Sequence, residues 1–320
     1  MEPLISVVIP IKDGDFWIED LVKKLLSQTL ADKTEVILVD SGSTDKTLDI
    51  LAKYPVRVIH VQPQDFNHGE TRNVGVRAAK GKYVVLTVQD ALPQNDLWLQ
   101  TLLDGFIDDE VVAVCGQQIV GHDLDKNPLK WFRPINKPTF KRVQFKNGEY
   151  DLLSPAEKKN AAGWDDVTSC YRKDIMDQMP FQRTSFAEDC IWANEALKKG
   201  FALVYNYNAR VYHYHHDEPF FAFKRCLIEW SVLYNIFKSV PKDPRLSLRQ
   251  KLGVIKLLMT TKGLSFSKKI FWIKFNLKRQ NAIDNAYKTF MEAYHKGEAG
   301  LAELFRIHCS AIPVAKKWEV

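Results

Sequence analysis

The chain has 320 residues and a mass of 36.9 kDa, with 45 Lys and Arg against 39 Asp and Glu, which gives a formal net charge of +6. This length is sufficient for one large domain or two small ones with a sizeable core. Hydrophobic residues at 46% and charged residues at 26% are globular values, and they exclude a disordered, collagen-like or coiled-coil chain.

The charge is unevenly distributed along the chain. Residues 219–320 hold 19 Lys and Arg against 7 Asp and Glu, a net of +12, whereas residues 1–218 hold 26 against 32, a net of −6. A basic C-terminal region indicates an anionic partner, either a membrane or a nucleic acid, or else a solvated Lys-rich surface.

Apolar strands and amphipathic helices alternate over the first 115 residues. Leu4–Pro10 is a β-branched run typical of a buried parallel strand, and Phe16–Leu30 follows with apolar residues at helical spacing. This alternation predicts an α/β sheet that is wound by right-handed crossovers. Further strands are predicted at 35–40, 57–61, 83–88 and 111–115, with helices at 46–53, 70–79 and 98–106.

The alternation ends at Gly116. Residues 117–160, which include Pro128, Pro134 and Pro138, are predicted to form an irregular, substrate-facing loop region. Beyond them, strands are predicted at 168–171, 202–206 and 209–213, a helix at 189–199, and a mainly helical region after Pro219. The predicted domains are a catalytic domain at 1–218, divided into a donor nucleotide-binding half (1–115) and an acceptor half (116–218), and a basic, mainly helical region at 219–320.

The cysteines and the apolar runs indicate the cellular compartment. The five cysteines are scattered without a CxxC pair, which predicts a reduced, cytoplasmic chain with no disulfide or zinc scaffold. Leu4–Ile9 is short and is followed by Pro10, so no signal peptide is predicted. No apolar run reaches the roughly 18–20 residues that span a bilayer, so we expect no integral helical membrane protein.

Polar residues follow each of the first four predicted strands. They are Lys12 and Asp13, Asp40, the segment 64–73, and Gln89 with Asp90. Ligands bind outside the carboxyl ends of the strands in open α/β sheets, so these groups predict one convergent site. No GxGxxG follows the first strand and no GxxxxGK[ST] occurs, which argues against a dinucleotide-binding fold and a P-loop.

Several segments occur in the order found in family 2 glycosyltransferases, which have the GT-A fold. They are SVVIPIKDG, EVILVDSGSTDKT, TVQDA and FAEDCIWA, and the chain resembles this family over about residues 4–215. FNHGETRNVG at 66–75, together with QDA at 89–91, resembles the rhamnosyltransferase-type branch, which makes bacterial surface polysaccharides. The resemblance implies a GT-A fold, with a mixed α/β sheet flanked by helices and a C-terminal helical extension.

The resemblance also implies which residues bind a nucleotide-sugar donor. Asp40 is placed to accept the imide N–H of uracil or thymine, although it could instead cap the following helix. Asp13 either joins the base or ribose contacts or serves a turn. Arg72 and His68 suit the diphosphate at a helix start, unless Arg72 pairs with a carboxylate such as Glu70. The predicted donor-binding residues are Pro10, Lys12, Asp13, Asp40, Asn67, His68, Arg72, Asn73, Gln89 and Asp90.

One carboxylate stands where the family usually has Asp-x-Asp, because the turn reads Val88-Gln89-Asp90. Asp90 can still ligate Mg²⁺ or Mn²⁺, since these ions keep several waters and use phosphate oxygens. A divalent cation with a less strict requirement is therefore predicted. His213 is the favoured second ligand and His215 the less favoured one, against the alternative that these histidines are structural.

The FAEDCIWA segment resembles the acceptor-side carboxylate motif. An inverting transfer needs a base to take the proton of the acceptor hydroxyl. Asp189 matches that position and is the predicted catalytic residue, with a helix N-cap as its alternative role. The predicted acceptor-binding residues are Trp164, Asp165, Glu188 and Trp192, the last as a stacking surface for a sugar.

Residues 245–280 alternate apolar and basic side chains. This pattern is typical of an interfacial helix on an anionic membrane, and its alternative is a helix that packs its aromatic residues on the catalytic domain. We therefore predict a cytoplasmic protein that is peripheral on the inner face of the cell membrane.

The leading hypothesis is an inverting, metal-assisted glycosyltransferase that moves a deoxyhexose, with rhamnose from dTDP-rhamnose favoured, to a surface-polysaccharide (O-antigen-type) or lipid-linked glycan acceptor. A UDP-sugar donor is the alternative within the same fold. A nucleic-acid-binding protein that uses the basic region is the alternative from another class. It leaves Asp40, Asp90 and Asp189 unexplained, so no nucleic-acid partner is expected.

Overall fold

The computed structural model describes residues 2–132 and 139–309. Pro134, Pro138 and the last eleven residues of the predicted basic region lie outside the described residues. The described chain forms two compact units. The first consists of residues 2–119 and 139–213, and the second of residues 120–132 and 214–309.

A mixed sheet of nine strands forms the centre of the first unit, which confirms the predicted mixed α/β sheet. The strands are β1 (Ile5–Ile11), β2 (Thr34–Asp40), β3 (Arg57–His60), β4 (Tyr83–Thr87), β5 (Leu92–Pro93), β6 (Val111–Ile119), β7 (Phe140–Val143), β8 (Thr168–Arg172) and β9 (Ala202–Tyr212). Their order is β3-β2-β1-β4-β8-β6-β9-β5, with β7 paired to β9. The first four strands run parallel, and β8 is antiparallel to both β4 and β6.

Helices accompany the sheet of the first unit. They are α1 (Ile18–Leu26), α2 (Thr47–Leu51), α3 (His68–Ala78), α4 (Trp98–Leu103), α5 (Pro155–Ala161), α6 (Lys173–Gln178) and α7 (Glu188–Lys198). Six of the seven residues of β1 are buried, as expected for a strand covered on both faces. Within α3, Gly75 has no room for a side chain, because an added Cβ would meet Val8 and Val39 of the sheet. The helix that carries the FNHGETRNVG motif is thereby held close to the sheet.

The prediction that residues 117–160 form an irregular region is wrong in part. Strand β6 continues to Ile119, through a register shift at Gly116, where an added Cβ would collide with the carbonyl oxygen of Ala209. Gly116 therefore marks a bulge rather than the end of the strand. The segment also holds β7 and α5, and the two strands predicted at 202–206 and 209–213 form the single strand β9.

The second unit is helical, which confirms the mainly helical region predicted after Pro219. Its helices are α8 (Pro219–Phe237), α9 (Leu248–Thr260), α10 (Phe266–His295) and α11 (Gly297–His308), with a 3₁₀ turn at Pro128–Phe132. Helix α10 contacts the other three, and it buries Trp272 and Phe290 within the unit. Across residues 2–132 and 139–309, no helix combines the length and apolarity that crossing a bilayer would require.

Candidate active site

The carboxyl ends of β1 and β4 bring several predicted donor-binding residues to one edge of the sheet. The side chain of Gln89 donates to the carbonyl of Lys12 at 3.0 Å, and its oxygen accepts the Lys12 backbone N–H at 2.9 Å. Asp13, which has a positive φ of 46°, accepts the backbone N–H of Thr44 at 2.8 Å. Pro10 is the penultimate residue of β1 and lies opposite Val39 of β2. The loops after β1, β2 and β4 are therefore tied together here.

Asp40 ends β2 and is 2% exposed. One carboxylate oxygen accepts the backbone N–H (3.0 Å) and hydroxyl (2.6 Å) of Ser43, and the other lies 3.1 Å from Nδ1 of His60 and accepts the N–H of Gly42. Burial alone would raise the pKa of Asp40, but these hydrogen bonds, chiefly from Ser43, outweigh it and hold the pKa below its ordinary value. Asp40 is thus an ionised carboxylate that shapes the turn after β2, and its contact with a base stays a prediction.

Asp90 and His213 lie side by side at the ends of β4 and β9, with Oδ1 and Nε2 3.5 Å apart. Nδ1 of His213 is 2.7 Å from Oε1 of Gln118, whose amide nitrogen donates to Asp165. Because the carboxylate of Asp165 takes the Gln118 amide N–H, the Gln118 oxygen must accept from His213, which places the imidazole proton on Nδ1.

Nε2 of the same ring faces the carboxylate oxygen of Asp90. Two such groups within 4.8 Å fit a divalent cation, because an imidazole nitrogen and a carboxylate oxygen are common metal ligands. This donor set supports the predicted ligands Asp90 and His213. His215 is two residues further along the chain, in the second unit.

The FNHGETRNVG motif begins at Phe66 and continues into α3. Asn67 caps this helix by accepting the backbone N–H of Glu70, and His68 is its first residue, with its ring 4.9 Å from that of Phe66. Arg72 is only 5% exposed, and its guanidinium contacts Glu188 and, at 3.6 Å, Asp166. The alternative considered for Arg72, an ion pair, is therefore present. Its partners are Asp166, just before β8, and Glu188, the first residue of α7, rather than Glu70.

A cluster of carboxylates surrounds the start of α7. Glu188 is 6% exposed, whereas Asp189 is partly exposed and accepts the backbone N–H of Asp166 at 3.3 Å. Burial and the neighbouring carboxylates raise the pKa of Asp189 well above its ordinary value, and Arg72 acts in the opposite direction. Burial likewise raises the pKa of Asp166 to about 6. A partly exposed carboxyl with a raised pKa is suited to take a proton.

Asp189 is not the N-cap of α7. The cap position is Ala187, which has a left-handed φ of 60° and makes no side-chain cap. Asp189 instead accepts the N–H of Cys190 at 2.7 Å. The alternative role considered for Asp189 is therefore absent from this structure.

The two predicted acceptor-side tryptophans are buried. Trp192 is 3% exposed and donates to the carbonyl of Met179 at 2.7 Å, and Trp164 is 4% exposed and donates to the hydroxyl of Tyr171 at 2.6 Å. In this structure both rings pack in the interior and present no face for a sugar, so their acceptor roles stay predictions. Asp165 is partly exposed and contacts Gln118.

One residue at this site, Gln118, escaped the sequence interpretation. It follows the bulge of β6, and a signal for it was available, because VVAVCGQQIV continues as one strand when Gly116 is taken as a bulge. Asp166 is the neighbour of the predicted Asp165, and the structure shows that it is the buried member of this pair.

Comparison with known proteins shows which families this chain resembles. Residues 6–162 match the model of glycosyl transferase family 2. O-antigen chain rhamnosyltransferase WbaN of Salmonella anatum is 32% identical over 60% of this chain and 60% of its own length. O-antigen chain rhamnosyltransferase RfbN of Salmonella typhimurium is 26% identical over 69% of each chain. The match to WbaN therefore spans less than two thirds of that relative.

Solved structures share the fold at low identity. Mannosyltransferase PcManGT from Pyrobaculum calidifontis, solved in complex with GDP-Man and Mn²⁺, superposes with a TM-score of 0.52 at 17% identity, covering 97% of this chain and 80% of that one. S. aureus TarS 1–349 superposes with a TM-score of 0.51 at 16% identity, covering 93% and 92%. The chain therefore has the GT-A fold, matches glycosyl transferase family 2 over residues 6–162, and resembles the O-antigen rhamnosyltransferase branch of that family.

Proposed function

We propose that the chain is an inverting, metal-assisted glycosyltransferase that moves rhamnose from dTDP-rhamnose to a bacterial surface glycan or its lipid-linked precursor. The observation that carries the proposal is the continuous polar connection from Asp90 through His213 and Gln118 to Asp165, one residue from the Asp166–Asp189 contact. A candidate cation site and a candidate base therefore belong to one connected cluster within the first unit.

The proposed reaction uses Asp189 as the base. The acceptor oxygen forms a bond to C1 of the sugar as the bond from C1 to the diphosphate breaks, and the leaving nucleoside diphosphate takes the electron pair. The proton of the acceptor hydroxyl passes to the carboxylate of Asp189, whose raised pKa favours accepting it. Attack from the face opposite the leaving group gives inversion.

The donor would lie along the loops after β1, β2 and β4. Asp40 and Asp13 are proposed for the nucleoside, with Lys12 and Gln89 beside it. Asp90 and His213 would hold Mg²⁺ or Mn²⁺, and a bound cation would neutralise the charge that develops on the leaving diphosphate.

The rhamnosyl assignment draws on the names of WbaN and RfbN. A UDP-sugar donor is the competing proposal. The test is a panel of dTDP-rhamnose, UDP-glucose, UDP-GlcNAc and GDP-mannose, each with and without Mg²⁺ and Mn²⁺, read as released nucleoside diphosphate and as glycan product. A preference for dTDP-rhamnose that requires a cation and is abolished by Asp189→Asn supports the proposal. Preference for a UDP-sugar would overturn the rhamnosyl assignment, and absence of any transfer would overturn the enzymatic one.

We also propose that the second unit binds an anionic membrane surface. Residues 244–283 carry ten Lys and Arg and no Asp or Glu. On α9, Leu248 and Leu252 are 74% and 57% exposed, and Phe266 at the start of α10 is 69% exposed. Apolar side chains exposed among cations, with no acid between them, suit insertion at the headgroup level of anionic lipid. Such binding would hold the protein at the cytoplasmic side of the membrane, where a lipid-linked acceptor would be found.

A further inference from the structure

The FNHGETRNVG motif contacts one other stretch of the chain repeatedly. That stretch is residues 181–188, called here the base loop, because it leads into α7 immediately before Asp189. Three side chains of the motif and one of its glycines meet the base loop, at sequence separations above 100 residues. This convergence is independent of the donor edge at β1, β2 and β4.

Asn73 and Asn67 hydrogen-bond to the backbone of the base loop. Asn73 is buried and pairs with Phe181 in both directions, donating to its carbonyl at 2.9 Å and accepting its N–H at 3.0 Å. Asn67 donates from Nδ2 to the carbonyl of Thr184 at 2.6 Å, while its oxygen caps α3. An asparagine has both the donor and the acceptor that such paired contacts require.

Gly69 lets the base loop approach α3. A Cβ at this position would lie 3.0 Å from the carbonyl oxygen of Gln182 and 3.1 Å from Cβ of Phe181, which is tighter than ordinary packing. Gly69 therefore permits the close contact between α3 and the base loop.

Arg72 completes the contact at the end of the base loop. Its guanidinium pairs with Glu188, the residue before Asp189, and both side chains are almost fully buried. The preceding residue, Ala187, is held at a positive φ of 60°, a conformation that a non-glycine residue keeps only when its surroundings enforce it. Ala187 lies between the buried ion pair at Glu188 and the asparagine contacts at Phe181 and Thr184.

We infer that Asn67, Arg72 and Asn73 are positioning residues that act through the base loop to place Asp189, and that Arg72 does not bind the donor diphosphate. The inference rests on the proposed function, since Asp189 is the proposed base. The role of the FNHGETRNVG motif, which is the motif most specific to this branch, is then to hold Asp189 in position. The inference also replaces the donor role expected for Arg72, because a guanidinium that is 5% exposed and paired with two carboxylates cannot reach a ligand without breaking both contacts.

The test compares Arg72→Met with Arg77→Met, which makes the same change on an exposed arginine of the same helix. Affinity for dTDP is measured by calorimetry, and kcat and KM by product release. We expect Arg72→Met to retain dTDP affinity within about threefold and to lose about 100-fold in kcat, the loss expected when a reacting group is displaced by about 1 Å. Arg77→Met should match the parent protein. Weaker dTDP binding by tenfold or more with an unchanged kcat would show that Arg72 binds the diphosphate and would overturn the inference.

The pH dependence of kcat separates a positioning role from a general loss of stability. The charged groups that face Asp189 are Glu188 on α7, Asp165 and Asp166 before β8, and Arg72 on α3, with the hydroxyl of Tyr171 nearby. Arg72 lowers the pKa of Asp189 and Glu188 raises it. Arg72→Lys should therefore recover part of the kcat that Arg72→Met loses, and the acidic limb of its kcat–pH profile should change little. Glu188→Gln should move the acidic limb of that profile to lower pH. No movement with Glu188→Gln would contradict the link between the ion pair and the base.

A milder variant keeps the inference testable if Arg72→Met fails to fold. Asn67→Ser retains a good helix cap but removes the Nδ2 donor to Thr184. Amide hydrogen exchange over residues 181–188 should become faster in this variant, with exchange elsewhere in α3 unchanged. Unchanged exchange in the base loop would overturn the inference. If the parent protein transfers no sugar, the proposed function fails by itself, and hydrogen exchange alone then decides whether the motif holds the base loop.

Discussion

Gln118 determines which ring nitrogen of His213 faces Asp90. Its carboxamide bridges Asp165 and Nδ1 of His213, so Nδ1 carries a proton that Gln118 accepts, and Nε2 is presented to the carboxylate of Asp90. A residue that would touch neither donor nor acceptor thus sets the ligand properties of the candidate cation site.

Gln118→Leu should weaken cation binding without unfolding the domain. Leucine has a similar size but cannot accept the Nδ1 proton, so His213 is free to adopt the other tautomer. We expect Mn²⁺ affinity, measured by calorimetry or electron paramagnetic resonance, to fall about 10–100-fold, as is typical for residues that orient a metal ligand. ¹⁵N chemical shifts of His213 in the metal-free protein should report the tautomer change, and an unchanged tautomer would exclude this role for Gln118. Gln100→Leu, on α4, is the matched control.

Asp90→Asn should reduce Mn²⁺ binding more strongly than Gln118→Leu. The substitution keeps the shape of the side chain and removes the charge that a divalent cation requires. Thermal shift with Mn²⁺ and no nucleotide gives a readout independent of activity. Asp104→Asn, an exposed carboxylate at the end of α4, should leave the shift as it is in the parent protein. If Mn²⁺ raised the melting temperature of Asp90→Asn as much as that of the parent protein, Asp90 would not be a ligand of the proposed cation site.

Asp189→Asn should strongly reduce transfer while donor binding persists. Loss of a general base costs typically 10²–10⁴-fold in rate, so kcat should fall by about that amount with dTDP affinity preserved. In the parent protein kcat should decline toward acid pH, because only ionised Asp189 accepts a proton. The midpoint should lie above the ordinary aspartate range, since burial and nearby carboxylates raise the pKa of Asp189. A kcat that stays constant from about pH 4 to about pH 8, roughly the range of ordinary carboxylate and histidine pKa values, would contradict the assignment.

Leu252→Gln combined with Leu248→Gln should weaken binding to anionic vesicles. Both side chains project from α9 within the acid-free segment 244–283, so their loss removes apolar insertion but leaves the charge. Flotation with phosphatidylglycerol vesicles should show less bound protein, and phosphatidylcholine vesicles should bind little of either form. Ile307→Gln on α11, which replaces another exposed apolar residue of the second unit, is the control. Equal binding of the parent protein to both vesicle types would refute the membrane proposal.

Gly75→Ala and Gly253→Ala should change stability in opposite directions. An alanine methyl at Gly75 would collide with Val8 and approach Val39, whereas at Gly253 in α9 it would meet nothing within 4 Å. We expect a loss of about 1–3 kcal/mol for Gly75→Ala from overpacking and a gain of up to about 1 kcal/mol for Gly253→Ala from helix propensity. Chemical denaturation of each variant gives both values. A neutral Gly75→Ala would mean that α3 can move away from the sheet.

The sequence predicted the strands well where they are apolar throughout, and poorly where polar residues belong to them. β1 and β4 are runs of buried β-branched and apolar residues and were located within two residues at each end. The extension of β6 beyond Gly116 carries Gln117 and Gln118, and β7 exposes Phe140 and Lys141, so neither has a clear periodic pattern. These strands form because they pair with β9, which is distant in the sequence, and a local stretch of sequence does not show such tertiary pairing.

The same distinction applies to the candidate site. Asp13, Asp40, Gln89 and Asp90 were located because each follows an apolar strand at the edge where parallel strands end. The partners of Arg72 were not predicted, because Glu188 is 116 residues away and becomes its neighbour only through the antiparallel insertion of β8. A pattern can indicate that a residue carries chemistry, but its burial and its partner depend on strand order.

The position of β8 between β4 and β6 bears on how this domain is made at the ribosome. Residues 1–115 contain β4 and most of β6, but the strand that joins them is not synthesised until residue 172. A nascent chain that stops at residue 115 would leave one edge of β4 and both edges of β6 unpaired, and would leave Arg72 and Asn73 without their partners from the base loop. We therefore expect such a fragment to bind chaperones or aggregate, and strands β1 to β4 to acquire protection from hydrogen exchange only after the base loop has left the exit tunnel.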